Sequence, residues 1–217
     1  AIFSIIAMLI AFIILPETHP HRTERVSIFK VALSMICNKK VVACGLIIAA
    51  NNGVAFGFFA EGSFIMIDLL HLTPSDFGFA CAATAVSGAL GGIFAKKLHN
   101  RFSTEVIIGQ GIAVMLVFSL FLGGASLLYF YDFVQVSNAQ MVMIIITAQM
   151  GIMFGRCVCL SNTLAIALVE YKHCIGTSVS LFGFFYYTVM GLFTFGVGIL
   201  HDGTVLPMPF YFVSLSL

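Results

Sequence analysis

AQMVMIIITAQMGIMFGRCVCLSNTLAIAL, residues 139–168, is a run of thirty residues that contains a single charged side chain, Arg156. About 20 apolar residues are long enough to cross the hydrocarbon core of a bilayer as an α-helix. The backbone of such a run has to be helical, because unpaired peptide groups are not tolerated in hydrocarbon. Residues 139–168 therefore predict a membrane-spanning helix.

Further apolar runs flank this one. Hydrophobic residues make up 60% of the chain and charged residues only 9%, whereas soluble domains carry roughly 25% charged residues. The composition predicts an all-α, polytopic membrane protein of about six spans. The apolar segments are 1–15, 41–68, 76–95, 104–131, 139–168, 176–200 and 206–217.

Basic residues occupy every second gap between these runs. Of the ten Lys and Arg residues, nine lie in three gaps, and the gaps between them hold none. The nine are Arg22, Arg25, Lys30, Lys39, Lys40, Lys96, Lys97, Arg101 and Lys172. Because cytoplasmic loops keep cations and translocated loops lose them, we expect loops 16–40, 96–103 and 169–175 to face the cytoplasm, with the chain in the inner cell membrane. Cations dispersed in this way form no patch for nucleic acid.

Three parts follow from this pattern: the end of a helix at 1–15, a central cytoplasmic loop at 16–40 and a helical bundle at 41–217. We expect the first and last apolar runs to be the cut ends of longer spans. Within the loop, apolar residues of the segment 26–33 recur at helical spacing, which predicts a short helix lying at the membrane surface.

Small side chains are dense in the predicted spans. Glycine lets two helix backbones approach closely, although it can also merely relieve packing. The glycines at which we expect one of these two roles are Gly88, Gly91, Gly92, Gly191 and Gly196. The six cysteines lie in or beside apolar runs, where we expect them to pack as small hydrophobic residues.

Arg156 is the most informative polar residue in the spans. A guanidinium at mid-membrane costs at least roughly 2.5–3.5 kcal/mol unless it faces protein or water. The residues that share its helix face are Gln149, Met153, Leu160 and Thr163. Such a mixed face could line a cavity in which Arg156 attracts an anion or pairs with a carboxylate. Alternatively, Arg156 forms a structural salt bridge between helices, or snorkels toward an interface.

A second polar region lies in the apolar run 41–68. Glu61 could exchange protons or pair with Arg156, or it could be a residue at the mouth in contact with water. A stripe of the same helix combines amide and aromatic groups: Asn51, Asn52, Phe56, Phe59 and Ser63. With Tyr186 and Tyr187, these groups suit a binder of amphipathic drugs, although ordinary packing between helices explains them equally well.

Motifs of catalysis are missing from the sequence. It contains no GxSxG, no HExxH and no glycine-rich phosphate loop. The six histidines lie in loops on both predicted sides of the membrane, where they cannot converge. We therefore expect no enzyme activity, no cofactor and no metal site.

Several stretches resemble one family of transporters. LPET at residues 15–18 resembles the end of transmembrane helix 6 in major facilitator transporters of the drug-efflux type. GTSVSLFGF at 176–184 resembles the opening of helix 11 in the Bcr/CflA (bicyclomycin and chloramphenicol resistance) branch, and FAEGSF at 59–64 is similar to its helix 7. The stretch 161–168 resembles the end of helix 10, and 91–102 resembles the glycine-plus-basic motif between helices 8 and 9.

The resemblance implies half of a major facilitator fold: the end of helix 6, helices 7 to 11 and the start of helix 12. The sequence departs from the family pattern at Ala95 and Lys96, where an acidic residue is expected. Further departures are Ser161 in place of proline and Tyr186 near an expected glutamine. Arg156 is not part of the resemblance.

The function that the resemblance implies is proton-coupled efflux of small amphipathic drugs, by rocking of two six-helix halves around a midplane cavity. The partners would be drug molecules, protons, the lipid bilayer and the missing N-terminal half, which in this family usually carries the proton-coupling acids. The alternative is a chain without transport activity. It would then be a gene fragment, or a helix bundle that acts as a scaffold for another membrane protein.

Overall fold

The computed structural model describes residues 2–14, 27–133 and 135–217. Over these residues the chain is helical and forms no strand, which confirms the predicted all-α fold. The helices are α1 (Ile2–Ile14), α2 (Ile28–Cys37), α3 (Lys39–Ser63), α4 (Pro74–Leu98), α5 (Thr104–Phe130), α6 (Asn138–Ala167), α7 (Ile175–Leu200) and α8 (Pro207–Ser216). A π-helical turn, Phe64–Leu69, extends α3, and a 3₁₀ segment, Val169–Cys174, leads into α7.

Five helical segments are long and apolar enough to cross a bilayer, as the composition predicts for a polytopic membrane protein. They are Lys39–Leu69, Pro74–Leu98, Thr104–Phe130, Asn138–Ala167 and Val169–Leu200. Each contains most of one predicted apolar run. Residues 16–26 of the predicted central loop lie outside the described residues.

Side-chain caps explain where two of the spans begin. At α6, the Ser137 hydroxyl accepts the Gln140 N–H at 3.3 Å, and the Gln140 Oε1 accepts the Ser137 N–H at 2.9 Å. This reciprocal capping box satisfies backbone donors that have no partner within the helix. At α4, the Thr73 hydroxyl accepts the Asp76 N–H at 3.2 Å, and Pro74 occupies the first turn. Proline suits that position because its missing N–H is not needed there.

The central helix of the bundle is α6, which packs against α3, α4 and α5. Its contact with α5 is formed by backbone at Gly111 and Gly155, where a Cβ added to either residue would lie 2.7 or 2.6 Å from the carbonyl oxygen of the other. α3 packs against α7 and α8 as well as α6, and α5 also packs against α8. α4 thus packs on α6, and α7 packs on α3, so that α3 and α6 each carry one of the two helices.

Two clusters of buried apolar side chains occupy different levels of the bundle. One includes Phe58, Ile152 and Phe212. The other includes Ile48 and Ala167, near the end of the bundle that α2 covers. The middle of α3 and α6 lies between the two clusters, and Asn51, Asn52 and Arg156 lie at this level.

Residues 28–33 of the segment 26–33 are helical, as the apolar spacing predicts, and belong to α2. Val31 and Met35 are buried and pack with residues of α3 and α7, whereas Phe29 and Leu33 are exposed. α2 is therefore amphipathic, with its inner face on the end of the bundle where α3 begins.

Glycines allow a close approach of α4 to α6, but not at every predicted position. A Cβ added at Gly91 would lie 2.4 Å from the carbonyl oxygen of Phe154. The two backbones are therefore in contact, as small residues permit. At Gly92 and Gly191 an added Cβ would meet no atom of the described residues within 4 Å. The prediction of a close approach between helices is therefore confirmed at Gly91 and is wrong at Gly92 and Gly191.

Replacement of Gly91 by alanine is expected to destabilise the protein, because the added methyl group would push α6 away at Phe154. Overpacking of this kind costs about 1–3 kcal/mol. The matched control is Gly92→Ala, whose methyl group faces open space. Thermal unfolding of the purified protein in detergent should show a lower melting temperature for Gly91→Ala alone. Equal melting temperatures for both variants would contradict the contact.

Candidate ligand-binding site

Arg156 and Asn52 join α6 to α3 between the two apolar clusters. The Nη2 of Arg156 donates a hydrogen bond to the Oδ1 of Asn52 at 2.6 Å. On α3, Ile48 belongs to one cluster and Val54 to the other, and Asn52 lies between them. Asn52 is 8% exposed, and Arg156 is partly exposed. The polar pair is thus bracketed along the span by apolar packing.

The charge of Arg156 has no carboxylate partner within the described ranges. Its acceptor is the neutral amide of Asn52, and its Nε is buried without an acceptor. An amide oxygen satisfies a donor but does not neutralise a charge, and an uncompensated charge in a membrane helix is costly. The interhelical salt bridge, one of the alternatives for Arg156, is therefore not formed with any residue that the structure describes.

Asn51, the neighbour of Asn52 on α3, also faces α6. Its Nδ2 donates to the carbonyl oxygen of Ile47 at 2.8 Å and lies 3.6 Å from the Sγ of Cys159. The Thr163 hydroxyl donates to the carbonyl oxygen of Cys159 at 2.9 Å and extends the polar cluster by one turn. No donor among the described residues reaches the buried Oδ1 of Asn51, so this acceptor of the cluster is unused.

Gln149 lies two turns from Arg156 on the same face of α6, and it is fully buried. Neither its amide oxygen nor its amide nitrogen has a hydrogen-bond partner among the described residues. Leaving a buried polar group unsatisfied costs about 1–3 kcal/mol. Gln149 and Arg156 therefore give this face of α6 hydrogen-bonding capacity that the surrounding helices do not use.

Phe56 and Phe59 continue the stripe of Asn52 along α3, one and two turns further on. They are 46% and 47% exposed. The stripe predicted from the sequence is therefore one face of α3, on which the amide of Asn52 is buried and the rings of Phe56 and Phe59 are exposed. A surface with apolar rings next to a partly exposed guanidinium is suited to an amphipathic molecule.

Tyr186 lies away from the Arg156–Asn52 pair, nearer the start of α3. Its ring centroid is 5.6 Å from that of Phe182, and Phe182 would contact a Cβ added at Gly45. Its other aromatic neighbour is Tyr187, at 4.5 Å. The structure thus places Tyr186 in an aromatic group of α7, whereas Arg156 bonds to Asn52 of α3.

Glu61 pairs with His201 and not with Arg156. The buried carboxylate contacts the Nδ1 of His201 through its Oε1. The ring of Phe64 packs edge-on against the imidazole, with centroids 4.6 Å apart. Phe64 also begins the π-helical turn Phe64–Leu69, and such local departures from the α-helix are frequent at functional sites.

His201 is a partner that sequence reasoning missed. It lies 140 residues from Glu61, directly after the apolar run of α7, and only that position next to a span could have drawn attention to it. The turn that follows is ordered by Asp202, whose carboxylate accepts the hydroxyl and the N–H of Thr204 at 2.7 and 2.9 Å. These hydrogen bonds lower the pKa of Asp202. The turn holds His201 at the end of α7.

The relatives that comparison with known proteins finds for this chain are found by their amino-acid sequences. No family model matches the chain, and no solved structure matches it. The chain is 32% identical over 213 residues to an "uncharacterized transporter" of Rickettsia bellii (strain RML369-C), an alignment that covers 94% of the chain and 51% of the relative. It is 32% identical over 199 residues to an "uncharacterized transporter" of Rickettsia felis (strain ATCC VR-1525 / URRWXCal2), covering 88% of the chain and 48% of the relative.

The chain spans about half the length of the curated relatives it matches. Together with the five membrane-length helices, these relatives identify the chain as a multi-pass membrane protein that is similar, over most of its length, to part of proteins named as transporters.

Proposed function

We propose that the chain is the C-terminal half of a proton-coupled exporter of small amphipathic drugs, of the major facilitator type and its Bcr/CflA branch. Relatives named as transporters are about twice as long, which is the length that a second helical half requires. The packing of α4 on α6 and of α7 on α3 also supports the proposal. Two three-helix repeats within each half of such transporters would produce this pair of contacts.

The observation that carries the proposal is the Arg156–Asn52 pair. Ionisable residues inside membrane segments are rare, and they mark substrate or ion pathways. Here the guanidinium is held between two apolar clusters by Asn52, at one end of the stripe of exposed rings on α3. The buried amide of Gln149 lies two turns away on α6. A scaffold without transport activity has no use for a polar cluster that its own helices leave partly unsatisfied.

The distribution of cations supports the proposed orientation. The described Lys and Arg residues other than Arg156 lie in α2, at the start of α3, around the end of α4 and in the segment Val169–Cys174. These positions are at one end of the bundle, where Asn38 donates to Glu170 at 2.9 Å and His99 lies 2.5 Å from Asn162. We therefore place this end, with loops 16–40, 96–103 and 169–175, on the cytoplasmic side of the inner membrane.

Glu61 is the residue of this half that we assign to proton handling. Its carboxylate is buried at the opposite end of the bundle from the cations and is paired with His201. Uptake of a proton by the Glu61 carboxylate would remove its negative charge and would therefore change how the link between α7 and α8, which begins at His201, is held to α3.

Efflux of two dyes from cells tests the proposal. Cells that produce the full-length protein should lose carboxyfluorescein or rhodamine 123 faster than cells without it, and a protonophore should abolish the difference. Arg156→Gln should slow efflux by about tenfold or more, because a hydrogen bond to a charged group contributes about 1.5–3 kcal/mol. The control is Arg101→Gln, which removes an exposed loop cation and should leave the rate unchanged.

Retention of both dyes in cells that contain the folded full-length protein would contradict an exporter. A scaffold or a gene fragment would then be the better interpretation.

A second prediction concerns Glu61. If its carboxylate takes up the exchanged proton, Glu61→Gln should make dye efflux insensitive to an imposed pH gradient. The control is Asp68→Asn, which removes an exposed carboxylate from the π-helical turn on the same span and should preserve the dependence. Efflux from proteoliposomes with a defined gradient measures both. Unchanged dependence on the gradient in Glu61→Gln would assign proton coupling elsewhere in the protein.

A further inference from the structure

We propose that the Arg156 cluster is a binding site for organic anions, so that the preferred substrates carry a carboxylate or a similar anionic group on an aromatic or other apolar body. This inference rests on the proposed function, because it names the substrate class of the same site. It is carried by the chemistry of the groups that surround Arg156.

The charge at this site favours an anionic ligand. Arg156 is the one described Lys or Arg residue in the interior of a membrane-length helix, and its partner is a neutral amide. Glu61, a buried carboxylate of the same bundle, is already paired with His201. Within the described residues, the site therefore offers a positive charge without a compensating negative one. A bound anion would supply it, whereas a cationic ligand would add a second positive charge in a medium that screens charge poorly.

The hydrogen-bonding geometry of Arg156 suits a carboxylate. A guanidinium presents five N–H donors in a planar fork that matches a carboxylate. Asn52 accepts from Nη2 and fixes the plane of the fork, and the side chain is only partly buried. Asn52 is itself packed in the helix interface. Donors that remain on the guanidinium can therefore meet an anion in a preset orientation, which lowers the entropic cost of binding.

Aromatic rings lie next to the Arg156–Asn52 pair on α3. From the Arg156–Asn52 pair, Phe56 and Phe59 extend along α3 toward the same end of the bundle as Gln149 does along α6, since the two helices are antiparallel. The antiparallel course follows from the contacts of Asn51 with Cys159 and of Asn52 with Arg156. A ligand that lies along this direction would contact apolar rings beyond its anionic group.

Binding of two dyes built on one xanthene scaffold tests the charge preference directly. Carboxyfluorescein is anionic and rhodamine 123 is cationic, so their comparison keeps ring size nearly constant. Fluorescence anisotropy with the purified full-length protein should give a Kd for carboxyfluorescein at least about tenfold lower than for rhodamine 123, the factor expected for one charge-assisted hydrogen bond. Arg156→Gln should remove the preference.

Two further variants separate a lost anion site from a lost fold. Arg156→Lys keeps the charge but not the planar fork, so it should retain part of the preference for carboxyfluorescein. Arg101→Gln should bind both dyes as the unmodified protein does. Melting temperatures of all three variants show whether each is folded, and Arg156→Lys supplies the decisive comparison if Arg156→Gln is not.

Each outcome decides the inference. Tighter binding of rhodamine 123, equal binding of the two dyes, or a carboxyfluorescein Kd that neither Arg156 variant changes would overturn it, and Arg156 would then be balanced by a group outside the described residues. Charge-selective binding that depends on Arg156, without efflux of either dye from cells, would support the anion site while contradicting the exporter.

Discussion

A positive charge in the middle of a membrane-spanning helix constrains everything around it, because hydrocarbon offers that charge no partner. In this chain the constraint acts through Arg156. Asn52 holds the guanidinium against α3, apolar clusters fill the bundle on both sides of the pair, and backbone contacts at Gly91 and Gly111 keep α6 close to α4 and α5. The charge is therefore fixed in place before any ligand arrives.

The polar groups around this charge are unusual because they are incompletely satisfied. Six buried side-chain nitrogen or oxygen atoms in the described ranges have no hydrogen-bond partner, and four of these belong to Asn51, Gln149 and Arg156. In most folded proteins the great majority of buried polar atoms are paired. Unpaired polar atoms concentrated on two facing helices, α3 and α6, lower the stability of the protein without improving its packing. We interpret this local departure as the trace of a ligand site, since rules of folding are most often broken where function requires it.

Local pattern was enough to predict the helices and to single out Arg156, because length, composition and helical spacing are properties of one segment. It was not enough to predict contacts between segments. The pairing of Arg156 with Asn52 and that of Glu61 with His201 depend on how helices more than a hundred residues apart are aligned, and periodicity does not encode that alignment. For the same reason Gly91 and Gly92 look alike in the sequence, although only Gly91 faces a neighbouring backbone.

The central claim is that Arg156 faces a space that a ligand and water can enter. Thiol labelling tests it most directly, in the full-length protein with its native cysteines replaced and the substitution Arg156→Cys introduced. A membrane-impermeant, water-soluble thiol reagent should label this variant in membrane vesicles, and carboxyfluorescein, by contact with the neighbouring rings and amides, should slow the labelling. Absence of labelling both with and without the dye would contradict the account and would indicate that position 156 is closed off by packing.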